Sequence, residues 1–76
     1  MFGNLIKTCR QQSGLSITEL GAAIGKDAST ISRWERGVVA TTGAQTLAAI
    51  VGCGLEQKEA VRLITETLIA AICKDG

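Results

Sequence analysis

Apolar residues recur along this chain at three- and four-residue steps, the spacing of amphipathic helices rather than of strands. Leu5, Ile6 and Cys9 form the first stripe, in a helix over residues 2–13 that Gly14 stops. Ser16, with Glu19 three residues on, has the spacing of a capping box, and Leu20 and Ile24 share one face of a second helix over 17–24. Gly25 follows the last apolar residue, where a left-handed backbone ends a helix at little steric cost. Asp27 is placed to cap a third helix over 28–36, which Gly37 closes. Ile31 and Trp34 give that helix an apolar face, and Ser29, Ser32, Arg33 and Arg36 lie opposite.

The linker over 38–43, VVATTG, contains Thr42, which with Gln45 repeats the capping-box spacing at the head of a fourth helix over 43–52. Leu47, Ile50 and Val51 are its expected inner face, and Gly52 and Gly54 around Cys53 break it. Residues 56–73 read as a last, long helix, with Glu56 and Glu59 near its start and Lys74 near its end in agreement with the helix dipole. Its apolar residues, which include Ala60, Leu63, Ile69 and Ala71, cover more than one stripe. The helix is therefore either wholly buried in its own chain or shared with a partner. A chain of 76 residues has little protein with which to surround it. The expectation is that one face closes the core and that Val61, Ile64, Leu68 and Ile72 meet a second copy related by two-fold symmetry.

Composition narrows the function. The 76 residues suit one domain over 1–76 with one core, stabilised further by oligomerisation. Net charge is only +1, so no basic tail coats nucleic acid. Residues 1–38 carry Lys7, Arg10, Lys26, Arg33 and Arg36 against Glu19, Asp27 and Glu35, a slight basic bias that residues 39–76 lack. Three distant cysteines, Cys9, Cys53 and Cys73, with no CxxC pair and no His, argue against a zinc site. They read instead as reduced thiols of a cytoplasmic protein, with Cys9 and Cys53 as small core residues. No apolar run reaches the roughly 18 residues of a membrane span. With no His, no Gly-rich phosphate loop and no carboxylate cluster, an enzyme is the poorest reading, and no cofactor, metal or small-molecule ligand is expected.

Two short helices joined by a glycine turn, over 16–37, describe a helix-turn-helix unit. Leu20, Gly25, Ile31, Trp34, Glu35 and Gly37, with Arg10 and the Gly14-Leu15-Ser16 lead-in, resemble the Cro/repressor (XRE-type) DNA-binding family. The fragment GKDASTISRW also resembles the phage cII-type activators, and the likeness spans about residues 4–55. It implies an all-α, five-helix bundle of the repressor-like helix-turn-helix type, with an Arg10–Glu35 ion pair tying the first helix to the third. It further implies that Ala28, Ser29, Ser32 and Arg33 face the major groove of double-stranded DNA. The Arg33 fork matches O6 and N7 of guanine, whereas Ala28 can only touch a thymine methyl. Phosphates would meet the free N–H groups at Ser16, Ile17 and Thr18, with Lys26, Arg36, Thr42 and Lys7 adding side chains.

The chain departs from the family at three places. Gly21 stands where alanine is usual, Lys26 where an apolar residue is usual, and the 38–43 linker is neither basic nor proline-containing. The reading is a transcription regulator of phage or prophage type, working as a homodimer or tetramer. The alternative is a protein-interaction module of the same fold, such as an antitoxin-like subunit.

Overall fold

The computed structural model describes residues 2–75, and the side chains of residues 2–73. It contains five helices: α1 (Phe2–Gln12), α2 (Ile17–Ile24), α3 (Ala28–Arg36), α4 (Gly43–Gly52) and α5 (Gln57–Asp75). There is no strand among the described residues, so the fold is an all-α bundle. Both capping boxes form. The Glu19 amide donates to Ser16 Oγ at 3.0 Å and the Ser16 amide to the Glu19 carboxylate at 2.9 Å. At α4, Gln45 and Thr42 exchange the same two bonds at 3.1 and 3.0 Å. Each box satisfies two amides that a helix start would otherwise leave without a partner. Gly25 ends α2 at φ 72°, and its amide and that of Lys26 both reach the Gly21 carbonyl.

Asp27 departs from expectation. It holds the N-cap backbone position of α3, but its side chain makes no cap hydrogen bond. Its charge still lies at the positive end of the α3 dipole.

Ile6, Cys9, Leu20, Ile31, Trp34, Ala49, Ile50, Cys53 and Ala60 form the shared core. Phe2 and Gly3 are buried as well, so the inner stripe of α1 runs further toward its start than Leu5, Ile6 and Cys9 alone suggest. Leu5 itself is only partly buried against the core. In α4 the inner face is rotated from expectation. Thr46, Ala49 and Ile50 are fully buried, whereas Val51 is 40% exposed. Thr46 tolerates burial because its hydroxyl donates to the Thr42 carbonyl at 2.8 Å.

Two glycines let backbones meet. A Cβ on Gly21 would run into the Lys26 carbonyl oxygen, so the turn after α2 folds directly onto that helix. A Cβ on Gly3 would strike the Trp34 carbonyl oxygen, which sets how closely α1 approaches the end of α3.

α5 begins one residue later than expected, with the Glu56 carbonyl accepting from the Ala60 amide at 2.9 Å. Ala60 is buried, and Leu63 and Ile64 pack against the core. Ile64 therefore belongs to the inner side of α5 and not to its free stripe. That stripe holds Val61, Leu68, Ile69 and Ile72, which are 41% to 70% exposed. Arg62 links Glu59 and Glu66 along the adjacent surface. The dipole role expected of Lys74 lies outside the described side chains.

Gly3→Ala is expected to lower stability by about 1–3 kcal/mol, the usual penalty for forcing extra volume into close packing. Urea unfolding with an unchanged midpoint would show that α1 has room to move.

Candidate nucleic-acid interface

Successive residues of a helix turn by about 100°. With Ile31 and Trp34 directed into the core, Ser29, Arg33 and Arg36 fall on the opposite face of α3, and all three are exposed. Ala28 and Ser32 flank that face and are half-buried. Among the described residues, no hydrogen bond or ion pair engages the Arg33 guanidinium. Arg36 differs, because its Nε donates back to the Ser32 carbonyl at 3.4 Å. Arg36 is thus drawn toward the carbonyl end of its own helix, where its charge also meets the dipole.

The start of α2 offers a second polar surface. Ser16 and Thr18 are exposed, and Ile17 packs partly against the core. The capping box uses the amides of Ser16 and Glu19, which leaves the N–H groups of Ile17 and Thr18 to an outside acceptor. The Ser16 hydroxyl accepts from Glu19 and keeps its own proton for donation. The bonds from Ser16 hold the Glu19 carboxyl below its ordinary range, so it is ionised at neutral pH. An anion here meets two free amides but also a neighbouring carboxylate. Lys26 in the turn, Lys7 on α1 and Thr42 at the head of α4 are all exposed.

Arg10 and Glu35 lock this frame from behind. Arg10 Nε donates to Glu35 Oε2 at 2.7 Å and Nη2 to Oε1 at 3.0 Å. Its Nη1 donates to the Leu15 carbonyl at 2.9 Å. The two side chains are only 12% and 6% exposed. Glu35 pushes the Arg10 pKa upward, chiefly through these hydrogen bonds. Beside them, burial raises the Cys9 thiol and pushes Cys53 up to about 11. Both are protonated at neutral pH and are poor nucleophiles. Cys73 is exposed.

Two apolar residues of the linker also belong to the surface. Val38 and Val39 are exposed, and Val39 borders an apolar groove of about 440 Å³ between the start of α1, the end of α3 and Leu68 of α5. Their adjacency in a loop was the signal, since the linker's lack of charge draws attention away from them. Among the described residues, no group of three or more His, Cys, Asp or Glu could hold a metal, and no helix is long and apolar enough to cross a membrane.

A helix-turn-helix family model matches residues 6–52, which takes in most of α1 and all of α2, α3 and α4. No curated protein and no solved structure matches the chain.

Removing Glu35 leaves a buried guanidinium with one carbonyl partner. Glu35→Ala is therefore expected to cost on the order of 3–5 kcal/mol, read by thermal or urea unfolding. A variant that melts with the parent chain would mean that the pair contributes little to holding α3 on α1.

Proposed function

We propose that this chain, which belongs to the Cro/repressor (XRE-type) helix-turn-helix family, is a sequence-specific transcription regulator of phage or prophage type that inserts α3 into the major groove. One observation carries the reading. Arg33 stands on the outward face of α3, inside the matched segment, with no hydrogen-bond or ion-pair partner among the described residues. An arginine fork held away from its own carboxylates is suited to the O6 and N7 acceptors of guanine. Ser29 and Ser32 add short hydroxyls beside it, and Ala28 offers a methyl contact. With so few long polar side chains, part of the specificity falls to the shape and deformability of the duplex.

Backbone contacts would come from the free amides of Ile17 and Thr18, the Ser16 hydroxyl, and Lys26. Arg36, Thr42 and Lys7 have a smaller share. Such contacts set the register on the duplex without reading its sequence.

One unit spans too few base pairs for useful discrimination, so the active form is a homodimer or a higher assembly. The Val61, Leu68 and Ile72 stripe of α5, widened by Ile69, is the surface that joins the copies. Ile64, packed against the core, is not part of that surface. Two-fold pairing would set the recognition helices about 34 Å apart, one turn of DNA. The chain then acts as a single cytoplasmic, non-enzymatic domain.

Titration of a labelled heterologous duplex across salt concentrations tests the DNA reading, since phosphate neutralisation makes affinity fall with salt. Arg33→Ala is expected to weaken binding to a selected site by about 1–3 kcal/mol and to relax preference at one position per half-site. Lys26→Ala should weaken all duplexes alike and reduce the salt slope by about one. Absence of salt-dependent binding would favour a protein-interaction module of the same fold.

Sedimentation tests the assembly separately. Ile72→Glu is expected to convert the sample to monomer while preserving its helical signal, and a monomeric parent chain would remove α5 as an interface.

A further inference from the structure

No DNA contact uses the apolar groove beside the linker. Phe2, Gly3 and Trp34 line it as buried residues, with Val39 of the linker and Leu68 of α5 at its borders. None of its lining residues is charged. Leu68 also marks where α5 leaves its own domain. The core contacts of this helix come from Ala60, Leu63 and Ile64, in its first half. Beyond them Leu68, Ile69, Ala70, Ile72 and Cys73 are all exposed, and Ala71 is half-buried. Thr67 to Cys73 contains no charged residue on any side. A helix that is apolar all round is ordinarily enclosed by protein, and a single chain leaves this one in water.

We infer that the end of α5 from a second copy lies in this groove, with its Ile69 and Ile72 against Phe2, Trp34 and Val39; this rests on the reading of α5 as the surface that joins the copies. Pairing α5 with α5 alone would cover one stripe of each helix and leave the groove, Val38 and Val39 in water. Insertion covers all of them. Leu68 belongs to both features, since it heads the exposed stretch and borders the groove. A two-fold axis beside Leu68 therefore lets each copy fill the groove of the other in one closed, isologous contact. A groove remote from the helix end would instead string copies into an open chain.

Charge and area agree with this occupant. An uncharged segment enters an uncharged groove, so no ion has to be stripped of water. Val38, Val39, Leu68, Ile69 and Ile72 are 41% to 70% exposed. With their counterparts on the second copy they supply a contact on the scale of about 1,200 Å², where stable interfaces begin. Trp34 and Gly37 border the groove at the end of α3. Assembly thus braces the same helix that carries Arg33.

A native thiol reports on this contact, because Cys73 is exposed whereas Cys9 and Cys53 are buried. The full chain carrying Val39→Cys, oxidised with diamide, is expected to form a covalent dimer on a non-reducing gel. Adding Cys73→Ser should abolish that dimer. Val39 is exposed in the single chain, so changing it spares the core. Val39→Asp is expected to raise the dimer Kd in sedimentation by at least about tenfold, with the helical signal preserved. Should that variant lose its helical signal, the cross-link decides alone. If the parent chain is dimeric but Val39→Asp dissociates no more readily, or the Val39→Cys dimer forms without Cys73, the groove inference is overturned and the α5 interface stands. If the parent chain is monomeric at every concentration, both fall together.

Discussion

Three parts of the chain meet at one guanidinium. Arg10, near the end of α1, grips Glu35 near the end of α3 with two parallel hydrogen bonds and takes the Leu15 carbonyl with a third. Leu15 immediately precedes the Ser16 cap of α2. A single side chain therefore fixes α3 to α1 and to the turn from which α2 starts. Arginine suits this place because it stays charged at any accessible pH and its planar fork matches a carboxylate. Burial also makes the arrangement intolerant of partial loss, because a desolvated charge needs every partner it has. The relative placing of the α2 amides and the outward face of α3 follows from this contact and from the Gly21 turn.

With a net charge of only +1, the chain cannot rely on bulk attraction to nucleic acid. Its favourable field is local: two unclaimed amides at the start of α2, Lys26 in the turn, and Arg33 on α3. Carboxylates stand close to the first two of these features. Glu19 completes the capping box beside the free amides, and Asp27 follows Lys26. Such a surface gains little from a random polyanion and more from one whose acceptors and donors match in position.

Much of the fold could be read from residue patterns because the helix ends are chemically marked. Ser16 with Glu19 and Thr42 with Gln45 form their boxes, and Gly25 and Gly37 close their helices, so α2, α3 and α4 keep the expected bounds. What the patterns missed depends on tertiary contact. Thr46 looks like a surface residue until its hydroxyl is satisfied by Thr42, and Val51 looks like core until α4 is rotated to admit Thr46. Ile64 and Ile69 are both apolar, and only packing against α1 and α4 decides which turns inward. At the site, the face carrying Ser29 and Arg33 follows from helical periodicity once Ile31 and Trp34 are placed inside. The partnership of Arg10 with Glu35, 25 residues apart, could come only from resemblance to a family. The unused cap at Asp27 depends on a side-chain torsion that no spacing encodes.

The contact of Gly21 with the Lys26 carbonyl has an evolutionary consequence. Main-chain atoms meet there, which brings the turn down onto α2 beside the side-chain core that α2 and α3 share. Residues on the outer side of α3 can then be exchanged without altering the platform that carries them. Substitutions at the exposed positions 29 and 33 can change that surface while the scaffold stays constant. In this chain the joint is closed at one glycine, where an added methyl group would have to shift the turn.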